Sequence, residues 1–256
     1  MVQLKYFGDS RDYFKYDLIT YLLEGGVAAN YAFVPMLTNH RVDGEGNKTP
    51  KHIEGKSTEL LSFIGRCNSK DLNHWETWVK PHAKSYVTVH PVNEVFFEDG
   101  ARYKYWETFE QALRTKNALI FIDPDTGLET GKPSYLNKMG REKYILNEEL
   151  AKLCQTLDAS SLLMIYQHLP NNKHIHEESV YKKIEQAIEA SGYPFVLAYR
   201  EDDLAFLFIA KNEALLLKLS NLLEGYHINS GHVYKSMHYA PNKAPQPTPK
   251  SGAAEL

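Results

Sequence analysis

Two cysteines in 256 residues, Cys67 and Cys154, are too few for a disulfide framework and form no C-x-x-C pair of the kind that holds zinc. A reducing compartment suits them. No apolar run approaches the length of a membrane span. The opening residues 1–9 lack the apolar core of a signal peptide, so the expected location is cytoplasmic. Neither a G-x-G-x-x-G nor a P-loop is present, which removes the two common phosphate-cradling glycine motifs. Excess charge of one sign is lacking too. A formal net charge of −3 gives no global attraction to nucleic acid and leaves only a local basic patch as a route to RNA or DNA. What remains is an ordinary globular composition, 43% hydrophobic and 24% charged, with enough chain for a sizeable core.

The chain is organised around residues 117–129, Asn-Ala-Leu-Ile-Phe-Ile-Asp-Pro-Asp-Thr-Gly-Leu-Glu. Residues 118–122 form an unbroken apolar run, as expected of a strand covered on both faces. Pro124 cannot donate to a ladder, so the strand ends there. Asp123, Asp125 and the flexible Gly127 then sit at its C-terminal end, the edge where open α/β sheets bind ligands. An Asp/Pro/Gly turn forms from such residues whatever its function. A second apolar run, residues 160–166, closes on Gln167-His168-Leu169-Pro170 and repeats the arrangement. If the two strands are parallel neighbours, Asp123 and His168 open at the same edge. His168, His174 and His176 share no recognised spacing with acidic or cysteine ligands, so no metal is assigned to them.

Around this centre the elements alternate. Asp9 or Ser10 caps a helix that runs to Glu24 and stops at Gly25, with Phe14, Leu18, Tyr21 and Leu22 at helical spacing. Asp12 and Lys15, an i, i+3 pair on that helix, read either as the rim of a site or as a solvated surface contact. A strand over residues 30–37 leads into a polar loop, 38–55. Helices are expected over 57–66, 104–114, 147–157, 177–190 and 214–223, with a strand over 85–90. A β-hairpin over 195–210 turns at residues 200–203. Trp75, Trp78 and Trp106 read as packing residues rather than base-stacking platforms. From residue 240 the chain is proline-rich without apolar periodicity and is expected to be disordered. The expectation is one domain over residues 1–239 and a tail over 240–256. Its fold class is a three-layer α/β sandwich with a mostly parallel sheet that ends in an antiparallel hairpin.

That order of elements resembles the Rossmann-like fold of class I S-adenosylmethionine-dependent methyltransferases. Asp123-Pro124-Asp125-Thr126 is similar to the first half of the D/N-P-P-Y/F/W block of its amino-methylating branch. The likeness implies that Asp123 holds a target amine with Pro124 and Thr126 near the substrate, and the shared strand edge adds Asp125 and His168 as catalytic neighbours and Tyr166 and Gln167 as substrate neighbours. Asp125 and Thr126 stand where that block has proline and an aromatic, so a stacking ring would come from elsewhere, such as Tyr166 or Tyr135. Gly8-Asp9-Ser10-Arg11-Asp12-Tyr13-Phe14-Lys15-Tyr16 resembles the G-N-x-x-D-x-x-K-H opening of the J-type ribosomal RNA adenine methyltransferases. This implies that Gly8, Asp9, Asp12 and Lys15 border an S-adenosylmethionine pocket, and that a nucleobase would be flipped out of any duplex. The glycine-rich loop that usually follows the first strand of this fold is replaced by Thr38-Asn39-His40. The chain also resembles a bacterial family that combines a G-D-x-x-D-x-x-K-Y start with D-P-D-x-G-L-E and Y-Q-H blocks, a likeness that brings no activity with it.

Two other functions remain open. The apolar run and Asp123-x-Asp125 resemble the first motif of haloacid-dehalogenase phosphatases, which implies Mg2+-dependent phosphoryl transfer. As a nuclease, Asp123, Asp125, Glu129 and His168 would form the acidic and histidine cluster. The missing glycine loop instead suits a non-catalytic binding module of the same fold.

Overall fold

In a computed structural model, residues 6–38, 49–67, 69–85, 87–89 and 98–240 are described. The chain opens with helix α1 (Ser10–Glu24), where the Asp9 side chain accepts from the backbone N–H groups of Arg11 and Asp12. Strand β1 (Asn30–Pro35), helices α2 (Thr58–Arg66) and α3 (Asn73–Val79) and strand β2 (Val87–Val89) follow. The helix expected over 104–114 is broken into α4 (Arg102–Glu107) and α5 (Glu110–Leu113). Next come β3 (Ala118–Asp123), β4 (Gly127–Leu128), α6 (Pro133–Met139), β5 (Tyr144–Ile145), α7 (Asn147–Thr156) and β6 (Leu162–His168). The chain then forms α8 (His176–Ser191), the hairpin β7 (Phe195–Glu201) and β8 (Leu204–Ala210), α9 (Glu213–Asn229) and β9 (Lys235–Tyr239). α9 extends past the 214–223 expected from its leucines, and β9 was not anticipated. The expected tail lies outside the described residues apart from Ala240.

The main sheet has seven strands in the order β2-β1-β3-β6-β8-β7-β9. β2, β1, β3 and β6 are mutually parallel, and β8 and β9 run against their neighbours. The expected mostly parallel sheet with a terminal hairpin is therefore present, extended by one antiparallel edge strand. β4 and β5 make a separate two-stranded parallel sheet.

Period-two alternation divides the apolar strands between two cores. Leu119, Phe121, Met164, Tyr166, Phe206 and Phe208 face a layer made by α1, α2, α3 and α9. Ile120, Ile122, Leu163, Ile165, Leu207 and Ile209 face α4, α5, α7 and α8. These are the three layers of an α/β sandwich. Burying each such side chain contributes roughly 1.5–3 kcal/mol. Trp75 is fully buried and stacks on Tyr16 with ring centroids 3.9 Å apart, as packing requires. Among the described residues, no helix is long and apolar enough to cross a membrane.

Candidate functional site

Ile122 is paired with Ile165, which makes Asp123 and Tyr166 lateral neighbours one step further along β3 and β6. Both continue the alternation that points toward α1. From α1, Lys15 places its Nζ 2.8 Å from Asp123 Oδ2 and 2.6 Å from Asp12 Oδ1. The same Nζ lies 5.2 Å from the Tyr166 ring centre. Asp12 Oδ2 accepts from the Gly8 N–H at 2.9 Å and from the Tyr16 hydroxyl at 3.4 Å. The Lys15 and Asp123 side chains are only 3% and 2% exposed, which rules out the solvated-surface alternative for Lys15.

One ammonium thus serves two buried carboxylates. Burial works against the Lys15 charge, but Asp12 and then Asp123 outweigh it and hold the lysine above its ordinary pKa. Asp123 is raised because its burial outweighs the pull of Lys15, with Asp12 adding repulsion. Two buried polar atoms here have no hydrogen-bond partner among the described residues, Asp123 Oδ1 and Tyr166 Oη. Buried polar groups are rarely left so.

Beside this cluster, Arg11 donates to Asp203 Oδ2 at 2.6 Å, and its Nη2 lies 2.9 Å from His168 Nε2. His168 Nε2 is 3.3 Å from the same carboxylate oxygen. Burial pushes Asp203 up, but the His168 hydrogen bond and the Arg11 charge prevail and bring it below the ordinary aspartate value. Sequence reasoning missed Arg11 and Asp203. Arg11 stands inside the recognised opening segment, whereas nothing local connects it to a hairpin residue far along the chain.

The turn after β3 crosses to the other face. Gly127 has φ +132°, and a Cβ there would lie 2.4 Å from Gln167 Oε1. Glycine is needed for both reasons. Gln167 Oε1 accepts from the Leu128 N–H, while its Nε2 donates to the carbonyls of Thr126 and His168. The amide is thus engaged as a clamp rather than offered to a substrate. Asp125 is buried with Oδ2 3.8 Å from Lys143 Nζ and Oδ1 unpartnered among the described residues. Lys183 of α8 donates to the carbonyls of Leu128 and Glu129 and to Gln186 Oε1. Burial pushes its pKa down to about 8. A cavity of about 310 Å³ opens here, lined by Thr126, Thr130, Tyr135, Tyr144, His168 and Lys183 among others.

Of the expected site residues, Gly8, Asp9, Asp12, Lys15, Asp123 and Tyr166 gather on the α1 face, with His168 joined through Arg11. Thr126 and Gln167 follow Pro124 toward the α8 face. Tyr166 is fully buried against Phe206 and Lys15, so its ring has no open side for a base, contrary to the stacking expectation. Asp123 and Asp125 are held by different lysines. The described residues contain no group of three or more His, Cys, Asp or Glu arranged to hold a metal. His176 instead has Nε2 2.7 Å from the Pro170 carbonyl and is buried.

No family model and no curated protein matches the chain. Among solved structures it is similar to protein LPL1258 from Legionella pneumophila str. Philadelphia 1, of family DUF519. The two are 13% identical over 92% of this chain and 98% of that one, with a TM-score of 0.42. A likeness at that level carries no functional argument.

Proposed function

We propose that the chain is an S-adenosylmethionine-dependent methyltransferase-like enzyme acting on an amine, such as the exocyclic amine of a nucleobase in RNA or DNA. One observation carries this reading: Asp123 ends a central strand with Oδ2 gripped by Lys15 and Oδ1 buried without a partner among the described residues. An oxygen so placed would accept an N–H from an amine and orient its lone pair. Its raised pKa suits it to take the proton that leaves as nitrogen is alkylated. S-adenosylmethionine would supply the electrophilic methyl group.

Gly8, Asp9, Asp12 and Lys15 fit as a wall for that cofactor rather than as a grip. The Gly8 N–H, Asp9 Oδ1, both Asp12 oxygens and the Lys15 ammonium are already engaged by one another, the helix start, Tyr16 or Asp123.

A competing reading, a non-catalytic module, is favoured by the near-complete enclosure of the Lys15–Asp123 pair. Calorimetric titration with S-adenosylmethionine and S-adenosylhomocysteine, with and without Mg2+, separates the two. The enzyme reading expects saturable binding by wild type and by Asp123→Asn. It also expects transfer of labelled methyl groups to an RNA or DNA pool that the variant lowers by roughly a hundredfold or more. No heat from either compound with folded protein overturns it. A Mg2+ heat that requires Asp123 would favour phosphoryl transfer.

A further inference from the structure

We propose that the cavity between the first two turns of α8 and the segment after β3 is a binding site for a small aromatic anion, a planar ring carrying a carboxylate or a phosphate. It lies on the α8 side of the sheet and does not depend on the methyltransferase reading. Its volume of about 310 Å³ is at the lower end of ligand pockets. Tyr135 and Tyr144 supply aromatic surface, and Leu128 and Leu169 add apolar contact. Such a lining fits a flat ring.

The sign of the charge is chosen by what surrounds that surface. Two lysines, Lys182 and Lys183, line the cavity, and among the described residues no carboxylate does. Lys183 has its ammonium fixed by two backbone carbonyls and Gln186, so it acts as an immobile positive charge in the wall. Lys182, at the mouth, pairs with Glu178 across a solvent-exposed contact, which is worth little and is readily exchanged for a ligand anion. The Thr130 hydroxyl is buried and unpartnered among the described residues, leaving a hydrogen-bonding group in the lining.

Calorimetric titration would use phenyl phosphate and indole-3-carboxylate, with phenol, indole and inorganic phosphate as controls. At least one aromatic anion is expected to saturate with Kd below about 1 mM, roughly tenfold or more tighter than its neutral ring and than phosphate alone. Which of the two saturates distinguishes a phosphate ligand from a carboxylate. Tyr135 is 45% exposed and the Lys182 side chain 69%, so Tyr135→Ala and Lys182→Gln should change the melting temperature by no more than about 2 °C. Each should weaken binding by about tenfold. Absence of saturation by both anions, equal binding of a neutral ring or of free phosphate, or binding that neither variant alters overturns the proposal. Because neither variant touches Asp123 or Lys15, this result and the cofactor titration can fail separately.

Discussion

Replacing Lys15 by methionine removes the ammonium that bridges Asp12 and Asp123. At the observed separations of 2.6 and 2.8 Å each contact is worth about 6 kcal/mol in gross Coulomb energy at an effective dielectric constant near 20. Desolvation of three buried ions consumes much of that. Removing one partner, however, strands the others, and a broken buried pair costs about 3–5 kcal/mol. Exposures of 3% for Lys15 and 2% for Asp123 give no reason to discount the figure for solvent screening. The expected melting temperature falls by roughly 6–20 °C. Adding Asp123→Asn should restore at least about 1.5 kcal/mol, because the second stranded charge is gone. The deficit should also shrink as pH falls toward the ordinary aspartate value of 3.8. Asp123 is already raised in the native fold, and losing Lys15 raises it further, so the folded variant binds a proton more readily than the unfolded chain. Its stability is therefore regained below the folded pKa and lost above it. Urea unfolding of the single and double variants across this range measures both effects. A loss under about 1 kcal/mol, or a deficit that is constant with pH, would refute the account of a buried ion cluster.

Three further outcomes are expected. Asp203→Asn should lower stability by an amount fully present above the ordinary aspartate value of 3.8 and vanishing as pH falls below it, since Arg11 and His168 depress the native pKa; acid unfolding curves of wild type and variant measure it. Gly127→Ala should cost about 2–4 kcal/mol, because it combines a positive φ with displacement of the Gln167 clamp; the urea midpoint should drop accordingly. Lys183→Met should cost about 1–3 kcal/mol by leaving the Leu128 carbonyl without the lysine's hydrogen bond, read as a fall in melting temperature of roughly 2–12 °C.

Much of the framework was legible because it rests on local patterns. The apolar runs before Asp123 and His168 are β3 and β6, and they are parallel neighbours, the condition under which the two strand ends share an edge. Asp9, one of the two caps that the segment offers, is the one that caps α1. What escaped depends on contacts without a local signature. β9 reads Lys-Ser-Met-His-Tyr, with only His238 fully buried, and becomes a strand by pairing with β7. α4 and α5 are separated at Thr108 and Phe109, where no proline or glycine marks the break. The Asp12–Lys15 spacing predicts proximity on a helix but not burial. That burial arises because β3 delivers a second carboxylate to the same ammonium.

The placement of two candidate sites follows from one short segment that changes faces. Up to Asp123 the β3 backbone alternates regularly, which sends its last side chain toward α1 and Lys15. Pro124 cannot extend the ladder, and the Thr126 and Glu129 N–H groups donate instead to the carbonyls of Lys143 and Ile145. Gly127, at a φ open to glycine, lets Leu128 enter the α8-side core while the Gln167 amide fills the space a side chain would need. Six residues thereby supply a buried acceptor to one face and part of a cavity wall to the other. The lysines divide likewise, Lys15 from α1 and Lys183 from α8, each fixing one side of the turn. The chemistry proposed at Asp123 and the ligand binding proposed beside Tyr135 are thus separable by mutation in the helices, whereas a change at Gly127 disturbs the segment both share.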